Sequence, residues 1–451
     1  MLAFGSMASC ASPPSDAGPP NVVLLVVDTL RADHLGTYGH PRGTSSRLDK
    51  LASEGALMRA AVASSSWSPP SHTTIVTGRE PQHHRVLEWS HAIATEIAPL
   101  ASLLRRQGYS TALFSSHRSL ARGVGRFAEG FDSTLVLGNE QDEEVLRQAA
   151  DWVRKAEPPY FLQIVLMTPH APYTKYPSEY DTGLFEDVLP GGTEEFPFVA
   201  SQYVGEGGIP TSVALESRQD AGYYVNRYDR SIRHADALVS RFLDSARESA
   251  GANESTLLVM ASDHGESFGE KGSFSHEVYL YDHLLRVPLL FHYPERIHAG
   301  LIWSEPVGLT DIVPTILSFA GAPPTSTDGA DLSGLLAGDV LPPVDRTFGA
   351  SYVTGEYQRF MVRRDDYKLI WDARTSTAEL YDLVRDPGED ANLLAGAATE
   401  GVPRTSQAVF ESLQADLTAQ LGEYAAALPA LTRIQITDDV REELRALGYV
   451  D

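Results

Sequence analysis

The sequence holds a single cysteine, Cys10, in 451 residues. One thiol cannot close an intrachain disulfide, so no disulfide framework supports the fold. Nor can it build a zinc site of clustered cysteines. Positive charge is also scarce: 36 Lys and Arg stand against 60 Asp and Glu, a formal net charge of −24. That balance lacks the basic face a nucleic-acid binder uses, so no nucleic-acid partner is expected. No apolar run approaches the roughly 18–20 residues of a membrane-spanning helix. What is there is ordinary globular composition, 43% hydrophobic and 21% charged, which excludes disorder across the whole chain. The length suits about two to three domains, or one large α/β domain with an appendage.

Residues 2–11 are small and apolar, and Ser12-Pro13-Pro14-Ser15-Asp16-Ala17-Gly18-Pro19-Pro20 has linker composition. Cys10, after Met7-Ala8-Ser9, resembles the lipidated cysteine of a bacterial lipoprotein signal, though a positive n-region is missing. Residues 1–20 are therefore expected to be a leader and linker. Cys10 would carry a lipid anchor and place the chain at the cell envelope or periplasm. The alternative, if the leader is no signal, is the cytoplasm. Oligomeric state has no readable signal.

Three apolar runs share one pattern. Residues 22–27 end in Asp28, residues 257–262 in Asp263-His264, and residues 161–167 in Thr168-Pro169-His170. Near-continuous, β-branched apolar runs read as strands buried on both faces, hence parallel strands flanked by helices. In such sheets functional groups gather beyond the carboxyl ends of the strands. Three runs ending in Asp or His imply a converging site. Helical patterns lie at 45–54, 100–107, 223–247 and 311–320, with Gly55, Gly108 and Gly321 as stop signals. The expected class is α/β: a large, doubly wound, mostly parallel sheet flanked by helices over 21–345. From 346 to 451 short strands take over, at 347–353, 359–363, 367–371 and 379–383. Turn signals such as Arg364-Asp365-Asp366 and Arg385-Asp386-Pro387-Gly388 bound them. With a helix at 406–421, this is a small C-terminal α+β subdomain built on an antiparallel sheet. Residues 190–198 and 205–211 read as loops over the site.

Asp28, Asp263 and His264 offer the oxygen and nitrogen donors that hold a hard or borderline divalent cation. Singly, each would read as a strand-end cap. Ser68 lies in Ser64-Ser65-Ser66-Trp67-Ser68-Pro69-Pro70-Ser71-His72. A helix is expected to begin at Pro69 or Pro70, with Ser68 near its N-cap. A hydroxyl there meets free backbone N–H groups and the positive end of the helix dipole, which suits an alkoxide or a sulfate or phosphate ester. Lys271 is a further candidate contact to an ester. His91, His117, His283, His292 and His298 read as surface or core histidines, and Trp67 as packing beside the Ser68 helix.

Taken in order along the chain, these segments resemble the sulfatase family of the alkaline phosphatase superfamily. The run from Asn21 to His34 is similar to the family's opening strand and first metal ligand. Ser68-Pro69-Pro70-Ser71-His72, followed by Thr77-Gly78, falls where the family carries Cys/Ser-x-Pro-x-Arg. Pro169-His170-Ala171-Pro172-Tyr173 resembles its active-site histidine segment, and Ser262-Asp263-His264-Gly265-Glu266 its second metal-ligand pair. Gly272-Ser273-Phe274-Ser275-His276 resembles a downstream substrate contact. Tyr367-Lys368-Leu369-Ile370-Trp371, Glu379-Leu380-Tyr381-Asp382-Leu383 and Leu447-Gly448-Tyr449 resemble its C-terminal sheet and ending. The resemblance implies one divalent ion held by Asp28, Ser68, Asp263 and His264, calcium first, with manganese, magnesium or zinc as alternatives. It also implies Ser68, His72, His170 and His276 as catalytic residues acting on an anionic sulfate or phosphate ester.

Two positions depart from the family pattern. Thr29 stands where a second Asp is usual, and His72 stands where the motif has Arg. The family oxidises its Cys or Ser to formylglycine through that motif, so His72 argues against formylglycine at Ser68. Cys10 lies far from the motif and cannot be its source. The reading is a metal-dependent hydrolase of sulfuric esters. One alternative is a phosphodiesterase, phosphonate esterase or phosphoethanolamine- or phosphoglycerol-type transferase using unmodified Ser68. The other is a catalytically inert binding protein of the same fold.

Overall fold

The computed structural model describes residues 18–139, 141–180, 185, 194–199, 207–249, 255–276, 278–339, 345–355, 357–395 and 407–446. Cys10 with the rest of residues 1–17, much of 181–206, and Leu447-Gly448-Tyr449 lie outside the described residues. One sheet holds nine strands: β1 (Asn21–Val27), β2 (Ala56–Val62), β3 (Ser110–Ser115), β4 (Ser133–Val136), β5 (Tyr160–Leu166), β6 (Thr256–Ala261), β7 (Arg286–His292), β8 (Leu301–Trp303) and β9 (Val307–Gly308). Their order is β8-β2-β7-β6-β1-β5-β3-β4, with β9 also paired to β2. β1 runs parallel to both its neighbours, β5 and β6. Among the described strands of this sheet, β7 alone runs antiparallel to its partners.

The sheet is buried on both faces because its central strands are apolar at nearly every position, Asn21 and Gln163 being the polar exceptions in β1 and β5. All seven residues of β1 are buried. Alternate side chains point to opposite faces. Val22, Leu24 and Val26 join one core, and Val23, Leu25 and Val27 the other. The first core is covered by α2 (Ser68–Thr77), α3 (Leu100–Arg106) and α6 (Ile312–Phe319) through Ile75, Val76, Leu100, Leu104, Ile312 and Ile316. The second is covered by α1 (Ser46–Glu54), α4 (Asp142–Val153) and α5 (Ala221–Ser249) through Leu48, Leu51, Val145, Leu146, Tyr228 and Ile232. Each such fully buried side chain contributes about 1.5–3 kcal/mol.

A second sheet is an antiparallel meander of β10 (Thr347–Thr354), β11 (Tyr357–Arg364), β12 (Tyr367–Asp372) and β13 (Thr377–Asp382). One face packs on α7 (Gln407–Ala427), where Phe410, Leu413, Leu417 and Tyr424 meet Phe360, Val362, Leu369 and Leu380. The alternate residues Met361, Ile370 and Tyr381 join the first core of the main sheet. A buried Lys368 ties the join, its Nζ lying 2.8 Å from both Asp282 Oδ1 and Glu389 Oε1.

Candidate active site

The three runs that end in Asp or His are neighbours at the centre of the main sheet. Asp28 follows β1 directly, Asp263 and His264 follow β6, and His170 follows β5. α2 carries Ser68 and His72, and a short ribbon of Ser267–Phe268 with Phe274–Ser275 leads into His276. Asp28, His72, Asp263 and His264 are wholly buried, and Ser68, His170 and His276 nearly so.

Local chemistry explains the placement. Trp67 is extended (φ −155°, ψ 162°), so α2 begins at Ser68, one residue earlier than the prolines alone suggested. Pro69 and Pro70 then occupy first-turn positions, where the missing N–H has no helical partner to lose. Thr73 and Thr77 return their hydroxyls to the carbonyls of Pro69 and Thr73 at 2.7 Å each. Polar groups inside a wholly buried helix are thereby satisfied. Ser71 Oγ donates to the Asp263 carbonyl at 2.6 Å, tying α2 to the loop after β6. Trp67 itself packs against Trp89 and Tyr352.

The loops after β1 and β6 are joined to each other. Thr29 has φ 55°, a left-handed conformation that a β-branched residue rarely adopts. Its N–H donates to Asp263 Oδ1 at 3.2 Å, and its carbonyl accepts from Tyr228 OH at 2.6 Å. Ser262 Oγ accepts from Leu30 N at 2.9 Å and donates to the His264 carbonyl at 2.8 Å. Asp28 and Asp263 are thus fixed as a pair.

Around this pair the reactive atoms close in. Ser68 Oγ lies 3.4 Å from Asp28 Oδ2 and 3.4 Å from His264 Nε2. His72 Nε2 lies 3.4 Å from Asp28 Oδ2 and 3.2 Å from Asp263 Oδ2. His264 Nε2 is also 3.2 Å from Asp263 Oδ2. The rings of His264 and His276 are 4.6 Å apart, and those of His170 and His276 5.1 Å. His264 Nδ1 sits 2.9 Å from the Gly265 carbonyl and His170 Nδ1 2.9 Å from the Ala171 carbonyl. A carbonyl only accepts, so each Nδ1 carries the proton and each Nε2 the lone pair. His276 Nδ1 lies 3.2 Å from Glu266 Oε1, which orients that ring the same way.

Asp28 Oδ1 is buried without a hydrogen bond. Asp263 Oδ2 likewise makes no aligned hydrogen bond, although two imidazole nitrogens approach it. Two such carboxylates have the chemistry of a divalent-cation site, since buried charge needs a partner. Burial opposes ionisation of Asp28, but the surrounding His72, His117, His170 and His264 outweigh it and hold its carboxyl well below the usual range. For His72, burial disfavours the charged ring, but Asp263 and Asp28 prevail and lift it to about 9. Burial dominates at His170 and His264 and depresses both.

Three contributors were not evident in the sequence. His117 had read as an ordinary surface or core histidine; its Nε2 is 3.5 Å from Asp28 Oδ2, in a wholly buried position. Its Nδ1 accepts from Leu120 N, so Nε2 bears the proton and faces the carboxylate without an aligned hydrogen bond. Asp142 receives Met167 N at 3.1 Å, Thr168 N at 2.8 Å and the Ser116 hydroxyl, holding the loops of His170 and His117 together. Glu266 is the third. Lys271, in contrast, pairs with Asp390 at 2.7 Å and the Glu389 carbonyl, directed at the C-terminal part of the chain. A second group, His34, His40 and Asp229, is closed by Arg42, whose Nη1 lies 2.6 Å from Asp229 Oδ2 and supplies the cation there.

Residues 20–322 match the family model described as Sulfatase, and residues 269–416 the one described as N-sulphoglucosamine sulphohydrolase, C-terminal. The chain is 25% identical over 449 residues to an ulvan-active sulfatase of Formosa agariphila, covering 91% of this chain and 81% of that one. It is 26% identical over 448 residues to an arylsulfatase of Clostridium perfringens, covering 83% and 90%. A solved protein in complex with its substrate D-glucosamine-2-N,6-O-disulfate shares the fold with a TM-score of 0.73 at 18% identity, covering 90% and 98%. The phosphonate monoester hydrolase of Agrobacterium radiobacter shares it with a TM-score of 0.73 at 19% identity, covering 89% and 96%.

Proposed function

The chain belongs to the sulfatase family, and on that premise we propose that it cleaves sulfuric esters with the oxygen at position 68 as the attacking group. The observation that carries this reading is the place of Ser68 Oγ, 3.4 Å from both Asp28 Oδ2 and His264 Nε2 at the start of a buried helix. Asp28, Asp263, His264 and Ser68 would hold one divalent ion. When bound, such an ion offsets charge on the ester oxygens and lowers the pKa of the attacking hydroxyl. The positive end of the α2 dipole lies beside the same oxygens, although Pro69 and Pro70 offer no N–H there. The oxygen at position 68 loses its proton and bonds to sulfur, the bond from sulfur to the ester oxygen breaks, and the leaving oxygen takes a proton; sulfate then leaves position 68, and one water restores the starting group. His276 suits that last role. Glu266 fixes its Nδ1, so proton exchange with substrate runs through Nε2. His170 would contact the transferring group.

The test is a panel of aryl sulfates with the wild-type protein and Ser68→Ala, before and after chelation. Loss of turnover on the order of 10³-fold or more is expected in the variant, as for a removed nucleophile. Undiminished turnover in Ser68→Ala would overturn the reading. A second reading, cleavage of phosphodiesters or phosphonate esters by unmodified Ser68, draws on one observation. His72 occupies the motif's arginine position, in contact with both carboxylates. Peptide mass spectrometry separates the two: loss of two hydrogens at Ser68 with aldehyde reactivity supports the sulfatase route, and an intact serine supports the phosphoryl route. We place the chain at the cell envelope through Cys10, on the composition of residues 2–20. Release of the Cys10→Ser variant from the membrane fraction would support that placement.

A further inference from the structure

We propose that His72 is itself a metal ligand, completing with Asp28, Asp263, His264 and Ser68 a mixed nitrogen–oxygen site for a borderline transition ion of the zinc class rather than calcium. The inference rests on the preceding reading that a divalent ion binds at this place. The spacing supports it. His72 Nε2 lies 3.4 and 3.2 Å from the two carboxylate oxygens, His264 Nε2 3.2 Å from one, and Ser68 Oγ 3.4 Å from the other and from His264 Nε2. Ligands at roughly 2.0–2.2 Å from one ion sit about 3.0–3.5 Å from their neighbours in tetrahedral or octahedral order. Asp28, His72 and Asp263 each offer one atom, all within 4.8 Å of one another; His264 stands outside that group and reaches it through Asp263 Oδ2 at 3.2 Å.

The hydrogen-bond pattern points the same way. Asp263 Oδ2 has two imidazole nitrogens at 3.2 Å and an aligned hydrogen bond from neither. Nitrogens aimed near a carboxylate, but not along a hydrogen bond, fit donors that share a third centre. His72 Nδ1 makes no hydrogen bond and is free to carry the proton, so a lone pair at Nε2 gives up only the long 3.4 Å contact with Asp28 Oδ2. His264 presents its lone pair at Nε2 because Nδ1 is committed to the Gly265 carbonyl. His117 is excluded as a ligand by the same logic. Its Nδ1 accepts from Leu120 N, so its Nε2 proton supports Asp28 from outside the ligand set.

Calcium prefers six to eight oxygen ligands. Two imidazoles among five protein donors favour zinc.

The test uses the full-length wild-type protein, stripped with chelator and reloaded with zinc. X-ray absorption at the zinc edge counts coordinated imidazoles without substrate or turnover. Two imidazoles per ion are expected; one imidazole, or no bound ion, overturns the proposal. Competition titrations should show zinc displacing calcium, and His72→Gln should weaken zinc binding by more than the roughly 10–100-fold that loss of an outer-shell partner costs, while calcium binding barely changes. Equal loss for both ions would contradict a ligand role. Folding of the variant is checked by its thermal melt, and the wild-type spectrum stands independently of it. A two-imidazole spectrum without aryl sulfate turnover would sink the functional reading and leave this one standing. Turnover with a one-imidazole spectrum would do the reverse.

Discussion

At the scale of single residues, the site is built of imidazoles set by their neighbours rather than by their own chemistry. Glu266 makes His276 a ring with a defined proton position, and the Ala171 carbonyl does the same for His170. If His276 protonates the leaving oxygen, His276→Ala should lower kcat/KM on alkyl esters by about 10²–10⁴-fold. Aryl esters with good leaving groups need less protonation and should lose far less. Equal losses on both classes, measured across a series of leaving-group pKa values, would remove the acid role. Asp28, Asp263, His264 and His170 were legible because each ends an apolar run that only a buried parallel strand explains. Ser68 was legible from the prolines behind it. His117 and Asp142 were not. Nothing in Ser115-Ser116-His117 or in the first turn of α4 marks a site, because their approach to Asp28 and to the His170 loop is created by strand order alone.

At the scale of elements, α2 and the docking of the second sheet carry the most consequence. α2 ends at Gly78 with φ 66°, and a Cβ there would come within 2.8 Å of Thr327 Cγ2 and 3.0 Å of Val313 Cβ. Gly78→Ala should therefore destabilise the fold by about 1–3 kcal/mol, read from denaturant midpoints. A neutral result would show that the helix end relaxes freely. The second sheet docks through Lys368, which is wholly buried between Asp282 and Glu389. Lys368→Ala leaves buried carboxylates without their cation and should cost about 3–5 kcal/mol. Burial alone would raise the Asp282 carboxyl, but Lys368 and Arg363 outweigh it and hold it at about 2. Its folded value lies below the unfolded value of about 3.9. The contribution is therefore complete above about pH 4 and is lost as pH falls through about 2. Thermal melts should drop over that window, and less steeply in the Lys368→Ala variant. The strands and long helices of both sheets followed the apolar periodicity. Helix ends shifted by a residue or two, as at α2 and at α5, which runs Ala221–Ser249 rather than 223–247, because caps and tertiary packing set them.

At the scale of the whole molecule, the body is strongly acidic while its proposed substrate is an anion. A net charge of −24 repels a sulfate ester at long range, so attraction has to be local: the bound cation, the α2 N-terminus and the buried histidines. Raising salt from about 10 to 150 mM shortens the screening length from roughly 30 to 8 Å and should raise kcat/KM for polyanionic substrates. A fall with salt would mean that a basic surface steers the substrate. The central claim is sulfuric ester cleavage through position 68 with a divalent ion. The most direct measurement is inorganic sulfate release from an aryl sulfate by chelated and metal-reloaded protein, wild type beside Ser68→Ala. The account predicts release that requires both the ion and Ser68. Ser68-dependent cleavage of a phosphodiester or phosphonate ester, with no sulfate released from the aryl sulfate, would contradict it.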